Sequence, residues 1–245
     1  MKAFTKFALA AALAVSLGAC GAKPATDNTA DDAGGEEITE ITPIVGGWTI
    51  NEEATSTLTP EQAEIFQAAM SELVGVDYEP VAVVGQQLVA GMNYAYLCKS
   101  TVVSPEAQPT WTVVVIYQDL DGNASFTTAN PIDMADLHVL TGEAVEAVGA
   151  WEVVEPAETG ILPGDSESAF SAASAGSEVE LTPIVLLGTQ VVAGTNYQVL
   201  CIGSPAEGVY QLYDVTIYQD LDGNAEIVSQ EALDLTYYVT PEVVE

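Results

Sequence analysis

Apolar residues occur in paired runs in both halves of the chain, and two small residues lie at the bend of each pair. The pairs are EPVAVVGQQLV with NYAYLCKSTVV, within residues 79–103, and TPIVLLGTQVV with NYQVLCIG, within residues 182–203. Ala-Gly occupies the bends at 90–91 and 193–194. A glycine between two runs rich in β-forming residues is typical of a hairpin, so each pair predicts two antiparallel strands.

A second hairpin is predicted after each of these pairs. The apolar segments WTVVVIY (111–117) and LYDVTIY (212–218) predict further strands, and DLDGNA follows shortly after each, at 119–124 and 220–225. Asp-Gly and Gly-Asn readily adopt the positive φ that tight turns require. We therefore interpret DLDGNA as a turn. A calcium loop is the weaker interpretation, because the glycine position does not fit the EF-hand spacing.

A helix is predicted ahead of the first hairpin. Thr59 suits the N-cap and Pro60 the first helical position. The residues that then share an apolar face at helical spacing are Ile65, Phe66, Ala69 and Leu73. In the second half Pro163 aligns with Pro60, but residues 164–178 are rich in Ser and Gly, with Phe170 as their one large apolar residue. We expect that helix to be looser.

The two halves are copies of each other. VGGWTI (45–50) matches VGAWEV (148–153) at an offset of 103, and QLVAGMNYAYLC (87–98) matches QVVAGTNYQVLC (190–201) at the same offset. IYQDLDGNA (116–124) recurs unchanged 101 residues later. Such self-similarity is the strongest organisational pattern in the chain. It predicts two tandem domains, residues 42–138 and 146–245.

The order of elements in each repeat predicts an α+β fold, because a strand and a helix precede four antiparallel strands. The side chains expected to face the helix alternate along one strand of each repeat. They are Tyr94, Tyr96 and Cys98 in the first, and Tyr197, Val199 and Cys201 in the second. Cys98 and Cys201 are predicted to be buried thiols, and a bridge between the two domains is the less favoured alternative.

The amino-terminal residues predict a secretory signal, residues 1–19. Lys2 and Lys6 precede an apolar run from Phe7 to Leu17, which is too short to span a membrane. The residues Leu-Gly-Ala-Cys that follow resemble a bacterial lipobox, which implies that Cys20 is acylated; ordinary signal cleavage nearby is the alternative. Residues 20–41 are predicted to be an acidic, flexible tether. Gly21 favours the outer membrane or cell surface, on its periplasmic or extracellular face.

The strong negative charge of the chain limits the kinds of partner that it is expected to bind. The chain has 36 acidic residues against 4 Lys and Arg together. Nucleic-acid binding is not expected, since it requires cationic side chains. Salt bridges are not expected to contribute to the fold. The acidic surface is interpreted as a solvated one, and attraction to a basic partner is the alternative.

The repeated Gln-x-Val-x-Gly resembles the central motif of the cystatin family of cysteine-protease inhibitors. The resemblance implies a sheet wrapped around one helix in each domain, and a wedge that enters a papain-like cleft. The implied contact residues are Gly46, Gly47, Gln87, Leu88, Val89, Ala90 and Gly91 in the first repeat, and Gly149, Gln190, Val191, Val192, Ala193 and Gly194 in the second. The implied second hairpins are Asp119, Leu120, Asp121 and Gly122, and Asp220, Leu221, Asp222 and Gly223.

The resemblance predicts reversible, occluding inhibition of papain-like cysteine proteases by a membrane-anchored lipoprotein. A cystatin-related module that binds or adheres at the cell surface without inhibiting is the alternative. The second hairpins lack the Pro-Trp of secreted animal cystatins, and their aspartates are expected to weaken the contact. An enzyme is not expected, since His138 is the only histidine and lies between the repeats. No cofactor and no metal are expected.

The lipid anchor gives a first testable prediction. Cys20→Ala removes the sulfur that would carry the acyl chains, whose burial contributes about 0.8 kcal/mol per CH₂. The variant should move from the membrane fraction to the soluble fraction when cells are fractionated. Retention of the variant in the membrane fraction would contradict the anchor.

Overall fold

The computed structural model describes residues 46–132, 149–157 and 162–239, and they form two five-stranded antiparallel sheets. The predictions for the signal peptide, Cys20, the tether and His138 lie outside these residues. All described residues fall in one compact unit, residues 41–245. Within the described part, no helix is both long enough and apolar enough to cross a membrane.

Each repeat supplies one sheet, with its strands in sequence order. The elements of the first are β1 (Trp48–Ile50), α1 (Pro60–Met70), β2 (Val76–Val89), β3 (Gly91–Val102), β4 (Thr110–Gln118) and β5 (Ala124–Pro131). Those of the second are β6 (Trp151–Val153), α2 (Asp165–Ser174), β7 (Glu180–Val192), β8 (Gly194–Ala206), β9 (Val209–Gln219), β10 (Ala225–Leu233) and α3 (Leu235–Val239).

The two larger helices begin differently. Thr59 caps α1 with a capping box: its hydroxyl accepts from the Gln62 amide at 3.2 Å, and its own amide donates to Gln62 Oε1 at 2.9 Å. The helix ends at Met70, so Leu73 lies beyond it and is exposed. Helix α2 follows Gly164 and has no side-chain cap, which agrees with its weaker sequence pattern.

Each of these helices covers one face of its sheet. Ile65 and Phe66 of α1 pack with Tyr96 and Cys98, and the Phe66 and Tyr96 ring centroids are 5.1 Å apart. Phe170 of α2 packs in the equivalent cluster of the second sheet. Cys98 and Cys201 are free and buried there, and burial raises the pKa of both thiols. Neither thiol is therefore poised to react.

The other faces of the two sheets pack against each other. This shared core joins Val84, Leu97, Trp111 and Val113 of the first sheet to Ile184, Leu187, Leu200 and Leu212 of the second. The side chain of Trp111 is fully buried, and its indole Nε1 donates to the Leu187 carbonyl oxygen at 2.7 Å. Leu235 of α3 also lies in this core. The two repeats therefore have one hydrophobic core in common.

The predicted α+β fold, with a sheet wrapped around one helix in each of two domains, is wrong. The described part of the chain is mostly β, with 53% strand and 14% helix, and its helices are small beside the two sheets. The physical reason is visible in the strands. Residues 81–84 and 113–116 are buried without alternation, because both faces of these strands are covered.

Lys99 corrects the expectation that salt bridges have no part in the fold. It is the only basic residue in the described part of the chain, and its side chain is 11% exposed. Its Nζ lies 3.0 Å from Glu79 of the same sheet and also contacts Glu155 of the second repeat. Burial lowers the pKa of Lys99, but the hydrogen bonds to Glu155 and Glu79 outweigh this and raise it. Lys99 thus joins the two repeats as a cation.

One polar pair interrupts the shared face of the second sheet. Gln198 is 2% exposed and donates to Asp214 Oδ2 at 2.6 Å, while Gln198 Oε1 and Asp214 Oδ1 are buried without a partner. The equivalent residues of the first repeat are Ala95 and Val113, both apolar and buried. Burial raises the pKa of Asp214 to about 6, the Gln198 amide opposes the shift, and nearby Glu231 adds to it.

Removing this buried carboxylate should stabilise the protein above pH 6. The pKa of Asp214 is higher in the folded than in the unfolded state, so protonation of this carboxyl stabilises the fold. That stabilisation is complete below about pH 4 and is lost as pH rises through about 6. Asp214→Asn keeps a neutral side chain at every pH. We expect a gain of about 1–3 kcal/mol in unfolding free energy at pH 7.5, shrinking toward zero at pH 4.5. Urea unfolding at the two pH values measures it.

The exposed Asp77 provides the control, since Asp77→Asn removes the same charge from the surface of β2. That change should alter stability by less than about 0.5 kcal/mol. An equal gain for Asp214→Asn at both pH values would contradict the burial argument.

Candidate functional site

Three segments of each repeat converge at one edge of its sheet. In the first repeat, Val89 pairs with Gly91 at the tip of the β2–β3 hairpin, and Met92 pairs with Gln118 at the end of β4. The tip of the β4–β5 hairpin therefore lies beside that of β2–β3. Gly46, just before β1, donates its amide to the Leu88 carbonyl oxygen at 3.2 Å. We call Gly46, residues 88–91 and residues 119–123 the first edge. Gly149, residues 191–194 and residues 220–224 form the second edge.

Gln87 holds the first two segments together. Its Nε2 donates to the Gly46 carbonyl oxygen at 2.8 Å, and its Oε1 accepts from Asn93 Nδ2 at 2.7 Å. Gln190 makes the same bonds in the second repeat, to Gly149 at 2.7 Å and from Asn196 at 2.6 Å. The amide group of each glutamine is thus engaged within the protein. Its structural role is to position the tip, and the direct contact with a protease that the motif implies stays a prediction.

The motif glycines allow the hairpin tips to approach the neighbouring strand. Gly91 has φ +130° and Gly194 has φ +133°, a region that side chains rarely adopt. A Cβ atom would overlap the carbonyl oxygen of Gln118 at Gly91, and that of Gln219 at Gly194. The close approach lets a tyrosine hydroxyl bind the carbonyl oxygen at each tip. Tyr117 donates to Ala90 at 2.5 Å, and Tyr218 donates to Ala193 at 2.6 Å.

The aspartate that begins each second hairpin folds into its own turn. Asp119 Oδ1 accepts from the amides of Asp121 at 2.9 Å and Asn123 at 2.8 Å, and Oδ2 accepts from Asn123 Nδ2 at 2.8 Å. These bonds, led by that from the Asn123 side chain, hold the pKa of Asp119 below its usual range. Asp220 makes the same bonds. DLDGNA is therefore a turn that consumes its first carboxylate.

Leucine is the side chain that these turns project. Leu120 is 85% exposed and Leu221 is 86% exposed, although large apolar residues at hairpin tips gain nothing from solvent. The contact expected of the aspartates stays a prediction, and the first aspartate of each turn bonds the turn itself. Asp121 and Asp222 remain beside the leucines at the exposed tips.

Each edge is apolar and uncharged at its centre. Leu88, Val89 and Ala90 are exposed in the first edge, as are Val191, Val192 and Ala193 in the second. The stretches 86–94 and 189–197 contain no charged residue, in a chain with 36 acidic ones. Gly47 lies between Gly46 and β1. Depletion of charge around exposed apolar side chains is typical of the centre of a protein-binding surface.

Four residues that position the edges were not among the predicted site residues: Asn93, Asn196, Tyr117 and Tyr218. The sequence did contain a sign of them. Asn-Tyr follows the motif in both repeats, and Tyr117 and Tyr218 belong to the nine-residue segment that recurs unchanged.

Neither edge gathers a set of metal-ligating side chains. Among the described residues, no group of three His, Cys, Asp or Glu side chains could hold a metal ion. What the arrangement offers chemically is two rigid apolar tips and a backbone segment beside them.

No protein-family model matches the chain, and no curated protein matches it.

The close approach at Gly194 gives a stability prediction. Gly194→Ala should place a Cβ against the Gln219 carbonyl oxygen and strain the backbone, costing about 1–3 kcal/mol. We expect faster amide hydrogen exchange across residues 191–196. Gly176→Ala is the matched control, because a Cβ there meets nothing within 4 Å. Equal exchange in the two variants would show that the tip does not depend on Gly194.

Proposed function

We propose that the protein is a reversible inhibitor of papain-like cysteine proteases, which it blocks by filling the active-site cleft. The observation that carries the proposal is the edge itself. A backbone segment and two hairpin tips lie side by side, and the side chains that project from them are small or apolar except for Asp121 and Asp222. The repeated Gln-x-Val-x-Gly that resembles cystatins supports the same function.

The hydrogen bonds behind each edge favour tight docking. Gln87 and Tyr117 fix the segments before any partner binds, so little conformational entropy remains to be lost. Val89 and Leu120 contribute apolar area, at about 25 cal/mol per Å² removed from water. Because binding requires no covalent step, the complex is reversible and the inhibitor is not consumed.

The second hairpins offer a protease cleft an apolar contact, through Leu120 and Leu221, despite their acidic sequence. The carboxylates of Asp119 and Asp220 are held by their own turns, so docking need not strip them of their hydrogen bonds. The exposed leucines supply the apolar contact of the second hairpin. We assign the same role to both, since their turns are equivalent.

The proposed location is outside the cytoplasm, at the outer membrane or cell surface. Lipid on Cys20 would anchor the chain, and residues 20–41 would extend the folded part from the membrane. The support for this comes from the sequence alone, since these residues lie outside the described ones.

The test uses full-length protein, because the two repeats share a core and separating them would expose it. Val89→Glu with Val192→Glu places a carboxylate at both tips. Inhibition of papain should weaken at least about 100-fold, since burying an unpaired carboxylate costs several kcal/mol. The matched control is Val103→Glu with Val209→Glu, at exposed sites at the opposite ends of the sheets. The control should inhibit like the wild type.

Three outcomes would contradict the proposal. Unaltered papain activity at micromolar wild-type protein would remove papain-like enzymes of that kind as targets. Papain that binds while its hydrolysis continues would favour the alternative, a surface module that binds without inhibiting. Equal loss in both double variants would show that the edges are not the contact.

A further inference from the structure

We infer that one molecule holds two protease molecules at the same time, one at each edge. The inference rests on the proposed function and adds its stoichiometry. It follows from three features: the equivalence of the edges, their separation from the shared core, and the rigidity of that core.

The two edges are equivalent in their internal geometry. The bonds from Gln87 and Gln190 to the preceding glycine differ by 0.1 Å, and so do those from Tyr117 and Tyr218 to the tip carbonyl. The values of φ at the motif glycines agree within 3°. Neither edge has lost the interactions that position its tips, so neither is a degenerate copy.

Contacts between the repeats leave both edges open. Hydrogen bonds between the repeats include those from Trp111 Nε1 to Leu187, from Ser56 Oγ to Ala157 at 3.2 Å and from Lys99 Nζ to Glu155. Trp111 pairs with Lys99, which lies eight residues along β3 from Gly91. At about 3.3 Å per residue, Lys99 and its partner Trp111 therefore lie about 26 Å from the hairpin tip at Gly91. Leu187 lies five residues, or about 17 Å, from Val192 by the same measure.

Exposure in the assembled molecule confirms that neither tip is covered by the other repeat. The four tip side chains with the largest apolar surface are Leu88, Leu120, Val191 and Leu221, and all are exposed with both repeats in place. An enzyme bound at one edge therefore need not displace the other repeat. Because the shared core fixes the repeats to each other, binding at one edge requires no rearrangement at the second, and the sites act independently.

The edges differ in a few side chains, so they differ in strength. Within the edges Leu88 is replaced by Val191, and directly beside them Met92 is replaced by Thr195 and Gly47 by Ala150. A difference of one methylene in an apolar contact alters affinity by about 10- to 200-fold. For a given protease we therefore expect two independent dissociation constants rather than one, with both sites filled once the enzyme concentration exceeds the weaker constant.

The experiment counts enzyme equivalents. Papain of known active-site concentration is titrated with the wild type, Val89→Glu, Val192→Glu and the double variant, all full length, at concentrations above the weaker constant. The wild type should neutralise two equivalents and form a complex of one inhibitor and two enzymes by light scattering. Each single variant should neutralise one equivalent, and the double variant none.

The outcomes separate the inference from the proposed function. If the wild type neutralises one equivalent while each single variant also neutralises one, the two edges compete and the inference is overturned with inhibition intact. If only one single variant retains inhibition and the wild type neutralises one equivalent, a single edge is active and the inference again fails. If the wild type leaves papain unaffected, the proposed function fails, and the inference with it.

Discussion

Burial of both faces of each sheet is the constraint on which the rest of the structure depends. A five-stranded sheet with one helix on one side leaves its other face apolar, and exposing that face to water would cost a large free energy if nothing packed there. In this protein the second repeat covers that face of the first, and the first covers that of the second. Trp111 reaches across to the Leu187 carbonyl, so the contact also satisfies a buried indole. Duplication thus completes the fold, since neither repeat could bury its strands alone.

This shared core determines what the edges can do. With the strands held along their length, the hairpin ends extend from a stiff base, and a few polar groups suffice to fix the last residues. Gln87 and Tyr117 do this by binding backbone oxygens at Gly46 and Ala90, which leaves the apolar side chains facing outward. Polar residues form the support and apolar residues form the surface, the reverse of the arrangement in the protein's interior.

Local features of the fold could be predicted from the sequence, because they depend on short-range chemistry. The Thr59 cap, the turns at DLDGNA and the alternation that places Tyr96 toward α1 all follow from neighbouring residues. The architecture was missed although a sign of it was present: residues 81–84 and 113–116 are continuously apolar, as expected of strands covered on both faces. What covers the second face depends on long-range packing, which no local pattern specifies. The reach of Tyr117 was missed for the same reason, since it depends on where a partner strand ends. The direction of the Asp119 carboxylate was missed although its bonds to Asp121 and Asn123 are local.

The buried Gln198–Asp214 pair bears on how a duplicated chain avoids misassembly. Two copies of one repeat carry the same apolar face, the one that forms the shared core. A repeat could therefore pair with the corresponding repeat of another molecule. Pairing of two second repeats would bring a pair of poorly satisfied carboxylates into one interface, which the apolar Ala95 and Val113 of the first repeat avoid. Covalent linkage also gives the intramolecular partner a high effective concentration. Divergence at these two positions therefore makes the two faces different, and it disfavours pairing between the second repeats of two molecules.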